Sequence, residues 1–88
     1  MTALDEKKAI DALVRLLLDR PLEKAGEPVS AITTAAAEKG IFPTSVEAYG
    51  AIEILTALGF VQTTFGIVVP GPHYAVMKAR RVAARPVV

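Results

Sequence analysis

A small, mainly helical domain with one β-hairpin is predicted by three features of the chain. Apolar residues recur at helical spacing over 3–19, 31–39 and 44–58. The last two of these stretches run straight into a glycine, Gly40 and Gly59, where a helix stops easily. Beyond Gly59, Phe60-Val61-Gln62-Thr63-Thr64 and Ile67-Val68-Val69 are β-rich runs separated by Phe65-Gly66, which reads as a hairpin. The 88 residues make one domain, with a core over 3–69, a further segment at 73–84 and a tail at 85–88.

The first helix, 3–19, is expected to start at a Thr2 cap, with Asp5 completing a capping-box pattern and Glu6 adding charge that suits the helix dipole. Ile10, Leu13, Val14, Leu17 and Leu18 form its predicted core stripe, and Leu16 falls outside it. Arg20-Pro21 ends the helix, because the residue before proline disfavours helical angles. The following PLEKAGEP, 21–28, is predicted to be a loop, since two prolines, a glycine and three charges oppose a regular element.

Val29-Ser30 is expected as a very short strand, with Ser30 capping a second helix at 31–39 whose apolar side is Ile32, Ala35 and Ala36. Phe42 in the Ile41-Phe42-Pro43 turn is placed as a plug between the second and third helices. Thr44 caps the third helix, and Glu47 three residues on gives the Thr-x-x-Glu pattern. Ala48, Ala51, Ile52, Leu55 and Leu58 are its predicted buried stripe. Pro70-Gly71-Pro72 ends the hairpin, and 73–84 is expected as a fourth helix rather than a strand paired across a longer wing.

Composition excludes more than it selects. Ten basic and nine acidic residues leave a net charge of +1, so affinity for nucleic acid has to come from uneven charge placement. The chain has no cysteine, which removes disulfides and thiolate metal sites. The first residues, MTALDEKK, do not resemble a signal peptide, and no apolar run reaches the ~18 residues of a membrane span. A cytoplasmic protein without a membrane partner is the expectation. His73 is the single histidine, in a Gly-Pro-His-Tyr context that reads as loop, with no ligand-spaced partners. Ser30 and Ser45 are read as cap-region residues, and no phosphate-cradling glycine motif is present. No catalytic residues, metal or cofactor are expected.

The order of helix, short strand, helix, turn, helix and two-stranded hairpin resembles the winged helix-turn-helix superfamily. The residues that carry the likeness are Ser30, the Gly40-Ile41-Phe42-Pro43 turn, the capped helix from Thr44, and Leu58-Gly59-Phe60-Val61. The resemblance implies double-stranded DNA as the partner, read by the third helix. It would present Thr44, Ser45, Glu47, Tyr49, Gly50 and Glu53 to a groove, with Thr64, Phe65 and Gly66 at the wing tip. Thr33 and Thr34 would reach phosphates through their hydroxyls, and Lys78, Arg80, Arg81 and Arg85 would supply the cationic foothold. A regulator of this kind is expected to work as a homodimer.

The residues themselves also suggest a second function. The third helix exposes Glu47 and Glu53 and no Lys or Arg. Phosphate contact depends on those cations. Tyr49 and Ile54, flanking the small Gly50, suit a protein-contact patch instead, with Phe65 either adding a wedge or, as favoured, folding back onto the domain. A protein-interaction adaptor is therefore the alternative to a DNA-binding regulator. Leu16, off its stripe, is a candidate dimer contact.

Overall fold

The computed structural model describes residues 3–83. Its elements are α1 (Ala3–Leu18), α2 (Leu22–Ala25), β1 (Glu27–Pro28), α3 (Val29–Glu38), α4 (Ser45–Ala57), β2 (Val61–Thr64), β3 (Ile67–Pro70) and α5 (Pro72–Ala83). The architecture is mainly helical, with a small antiparallel sheet in the order β1-β3-β2. Among the described residues no helix is long and apolar enough to cross a membrane. No buried side-chain polar atom there lacks a hydrogen-bond partner. Thr2 lies outside the described residues.

Two helix stops are built in the same way. After α3, the N–H of Gly40 donates to Ala37 O at 3.0 Å and that of Ile41 to Ala36 O at 3.0 Å. After α4, Gly59 donates to Thr56 O at 3.1 Å and Phe60 to Leu55 O at 2.9 Å. Both pairs form the six-to-one and five-to-two bonds of a Schellman motif, which requires a left-handed residue. Gly40 and Gly59 supply it at φ 73° and 78°. The same chain reversal turns Phe42 and Phe60 inward, and both rings are buried.

The segment 21–28 departs from the predicted loop. Leu22 is buried and heads a single helical turn, and Glu27-Pro28 then pairs with Val68 and Ile67 of β3. Gly26 makes the approach possible. Its φ is 72°, and a Cβ there would stand 2.7 Å from Val68 O. The short strand therefore lies two residues earlier than expected, and α3 begins at Val29. Ser30 does not cap α3. Pro28 holds the cap position without a side-chain bond, and the N–H of Val29 donates to Gly66 O at 2.9 Å, tying the start of α3 to the hairpin turn.

Burial along the helices follows the predicted stripes in part. In α1 the buried residues are Ala9, Leu13, Leu16, Leu17 and Leu18, while Ile10 and Val14 are only half-buried. Leu16 is thus part of the core and not a dimer contact. In α4, Ala48, Ala51, Ile52 and Leu55 are buried as expected, but Leu58, at the C-cap, is 63% exposed. Phe60, two residues on, is buried. Ala35 of α3 is half-buried, packed against the core rather than inside it.

Residues 72–83 form α5, starting with proline at its first position, where the missing N–H is not needed. His73 therefore sits in a first helical turn, exposed, and not in a loop. Tyr74 is the anchor of α5. It is buried, and its hydroxyl lies 2.9 Å from Arg20 O and 3.2 Å from Leu17 O, at the end of α1.

Candidate interaction faces on the fourth helix

Helix α4 is a ridge with two outer flanks, and the local sequence sets it there. Thr44 Oγ accepts the N–H of Glu47 at 3.4 Å, which starts the helix beside the first turn of α3. Burial of Ala48, Ala51 and Ile52 leaves Val46, Tyr49 and Glu53 on one outer flank and Glu47, Gly50 and Ile54 on the other. The expected patch of Tyr49, Gly50 and Ile54 is therefore divided, since Tyr49 and Ile54 lie five residues and about 140° apart around the helix.

The first flank faces the hairpin. There an open groove is lined by Val29, Ser30, Thr33, Ser45, Val46 and Tyr49, and is closed at one end by Gly66. Val46 is 78% exposed on its lip. Thr33 is buried in the floor, with its hydroxyl donating to Ser30 O at 3.2 Å, while Thr34 is exposed. No Lys or Arg lines this groove. The hairpin joins Thr64 to Ile67 across a two-residue turn, with φ 51° at Phe65 and 75° at Gly66. Positive angles at both positions match the twist of the flanking strands. The same geometry throws the Phe65 ring outward, and the residue is 100% exposed rather than folded back.

The second flank faces α1. Ile10, Phe42, Gly50 and Ile54 line a groove there, with Glu6 and Glu47 at its edge.

The C-terminal cations are partly neutralised by the fold. Lys78 Nζ lies 2.5 Å from a Glu23 carboxylate oxygen, and Arg81 lies 2.7 Å from Asp19. Arg20 binds Glu27 through Nε at 2.7 Å and through a second, shorter contact. Hydrogen bonding to Lys78 holds the Glu23 carboxyl below its usual range, and Glu23 in turn raises Lys78. The bond to Glu27 likewise raises Arg20. Arg80 is exposed, and Arg85 lies outside the described residues.

Chemically the two flanks offer apolar contact and carboxylates. His73 is exposed, and among the described residues no three His, Cys, Asp or Glu side chains are grouped to hold a metal ion. Sequence reasoning missed Val46, whose exposure follows from the start of α4 and has no signal in composition. It also missed the Tyr74 anchor, because the acceptors come from residues more than fifty positions away. No protein-family model matches the chain, and neither does any curated protein or solved structure.

Proposed function

We propose that the chain is a winged helix that acts as a protein-interaction module, docking a partner on the face between α4 and the hairpin. One observation carries the reading. Phe65 is wholly exposed and sits at φ 51°. A non-glycine residue in that region costs about 1–2 kcal/mol, and asparagine or glycine would fill the turn without an exposed ring. Among the described residues nothing covers the ring, which leaves it available to a partner. Beside it lies the groove of Val29, Val46 and Tyr49. An exposed aromatic next to an apolar, cation-free groove has the make-up of an interface centre, where aromatic anchors dominate and charge is sparse.

A second reading, a duplex-DNA regulator, is supported by the order of α3, turn, α4 and hairpin alone. It is weakened by the charge pattern. Non-specific DNA binding needs Lys and Arg near phosphates. Here Glu47 and Glu53 flank α4, while Lys78 and Arg81 are engaged with Glu23 and Asp19.

A photo-crosslinking residue placed at Tyr49 in the full chain, expressed in its native cells, separates the two. The adaptor reading expects a discrete protein adduct that disappears with Phe65→Asp. It also expects no mobility shift of duplex DNA at low salt and tens of micromolar protein, which is about the non-specific range. Duplex binding that depends on α4, without a protein adduct, would reverse the order of the two readings.

A further inference from the structure

The outer side of α1 carries an apolar strip that the fold leaves incomplete. Ile10 and Val14, one turn apart, are both half-buried. Toward the start of α1 the strip runs into the groove shared with α4. Its lining is Ile10, Phe42, Gly50 and Ile54, its charged edges are Glu6 and Glu47, and no Lys or Arg lines it. Toward the end of α1 it runs into a second groove shared with α5, formed by Val14, Leu18 and Met77 together with Asp11, Arg15, Arg80 and Arg81. There α5 adds Val76 and Met77, which are 49% and 40% exposed. One helix thus carries an acid-edged apolar surface toward its start and, toward its end, an apolar surface where three arginines outnumber Asp11.

These surfaces cannot meet within one copy, because a helix of 16 residues is about 24 Å long. A two-fold axis across the middle of α1 exchanges its ends. It sets the α5 of a second copy over the α1–α4 groove of the first, and the reverse, so the contact closes on itself. We propose that the chain forms such a dimer, with antiparallel α1 helices and each α5 seated in the acid-edged groove of the other copy.

Two details fit this occupant. Arg80, Val76 and Met77 offer the charge and apolar surface that complement Glu47, Glu6 and Ile54. Gly50 leaves a notch in the groove, since a Cβ there would meet nothing within 4 Å, so a helix backbone approaches closely. A single helix-in-groove contact is small beside the roughly 1,200 Å² at the lower end of stable interfaces, and the two-fold arrangement makes the contact twice. The hairpin flank of α4 stays free, so this pairing does not depend on the partner-docking reading.

Sedimentation equilibrium of the full chain from micromolar to high micromolar concentration tests the proposal. The expected mass rises from 9.3 kDa toward twice that value. Ile54→Asp, a change at an exposed position whose folding is checked by circular dichroism, is expected to weaken pairing by about tenfold or more, as loss of a central anchor does. The charge-reversed groove, Glu6→Lys with Glu47→Lys, and the charge-reversed helix, Arg80→Glu, are each expected to be monomeric alone. Mixing the two restores a dimer, because the mixed pair holds one reversed contact and one natural contact. A monomer across the whole range overturns the proposal. So does a dimer indifferent to Ile54→Asp, or a mixture of folded variants that stays monomeric.

Discussion

The rings of Phe60 and Tyr74 meet edge to face, with centroids 5.6 Å apart and planes inclined at 62°. This contact fastens α5 to the point where the chain leaves α4. The far end of Tyr74 fastens α5 to α1 and α2, through Arg20 O, Leu17 O and the Glu23 carboxylate, while Lys78 lies 5.4 Å above the ring. One side chain therefore joins both ends of the domain, and it does so with its polar tip satisfied.

Removing the hydroxyl alone tests that role. Tyr74→Phe leaves the ring contact and strips a donor from partly buried carbonyls. Its expected cost is about 1–2 kcal/mol, seen in urea titration or as a melting temperature lowered by roughly 4–8 °C per kcal/mol for a domain this small. Tyr74→Ala removes the ring as well and is expected to cost about 3–5 kcal/mol.

The same residue sets the alkaline limb of stability. Burial is the largest influence on the Tyr74 phenol and pushes its pKa up. The folded state then holds the proton more tightly than the unfolded chain. Stability is complete below the ordinary tyrosine range and falls as pH rises through it toward the folded value. Glu23 has the opposite sign, because Lys78 lowers its pKa. Its contribution is present above the ordinary carboxylate range and is lost as pH falls through the folded value. Melting curves across pH should show Tyr74→Phe flattening the alkaline limb and Glu23→Gln flattening the acid one.

Two glycines are expected to respond oppositely to alanine. A Cβ on Gly71 would stand 2.4 Å from Gly59 O, so the backbone must move. That substitution should destabilise by about 3 kcal/mol, the upper end of overpacking. Gly50 sits inside α4 with open space where its Cβ would be. Gly50→Ala should stabilise the monomer by about 0.5–1 kcal/mol through helix propensity. Chemical denaturation at low protein concentration reads both, and equal effects would contradict the packing described.

Phe65 is expected to show stability and function moving apart. Phe65→Asn puts a residue that tolerates left-handed angles into the turn and removes an exposed ring. Stability should rise by about 0.5–1 kcal/mol, comparable to other relieved turn positions, while the protein adduct from position 49 is lost. A loss of stability would mean that the ring packs against the domain.

Leu16 and Leu58 test the two positions whose burial sequence spacing misassigned. Leu16→Ala should cost about 2–5 kcal/mol, as a core truncation does. Leu58→Ala, at a position 63% exposed, should stay within about 0.5 kcal/mol. Equilibrium unfolding of the two variants gives the comparison directly.

Local chemistry explains what could be read from the residues alone. The Thr44 cap, the Gly40 and Gly59 stops and the Phe65-Gly66 turn are decided by atoms within a few positions of one another, and each stands where its sequence signal placed it. The buried side of α4 was legible for the same reason, up to Leu58. The helical reading of 73–84 held over the described residues, with the helix starting one position earlier, at Pro72. The candidate positions on α4 were legible as positions, but their division into two flanks was not visible in a list of outward-facing residues.

The sequence by itself determined where the chain turns and stops, because capping and left-handed angles are properties of neighbouring residues. Only the tertiary structure decided which leucines of α1 are buried, because Leu16, Leu17 and Leu18 are equally apolar and their neighbours in space choose among them. It also decided that Glu27-Pro28 becomes a strand, since β3 provides the partner, and that Lys78 and Arg81 are engaged by Glu23 and Asp19 instead of standing free. Burial and charge pairing join residues distant in the chain, and those distances exist only once it has folded.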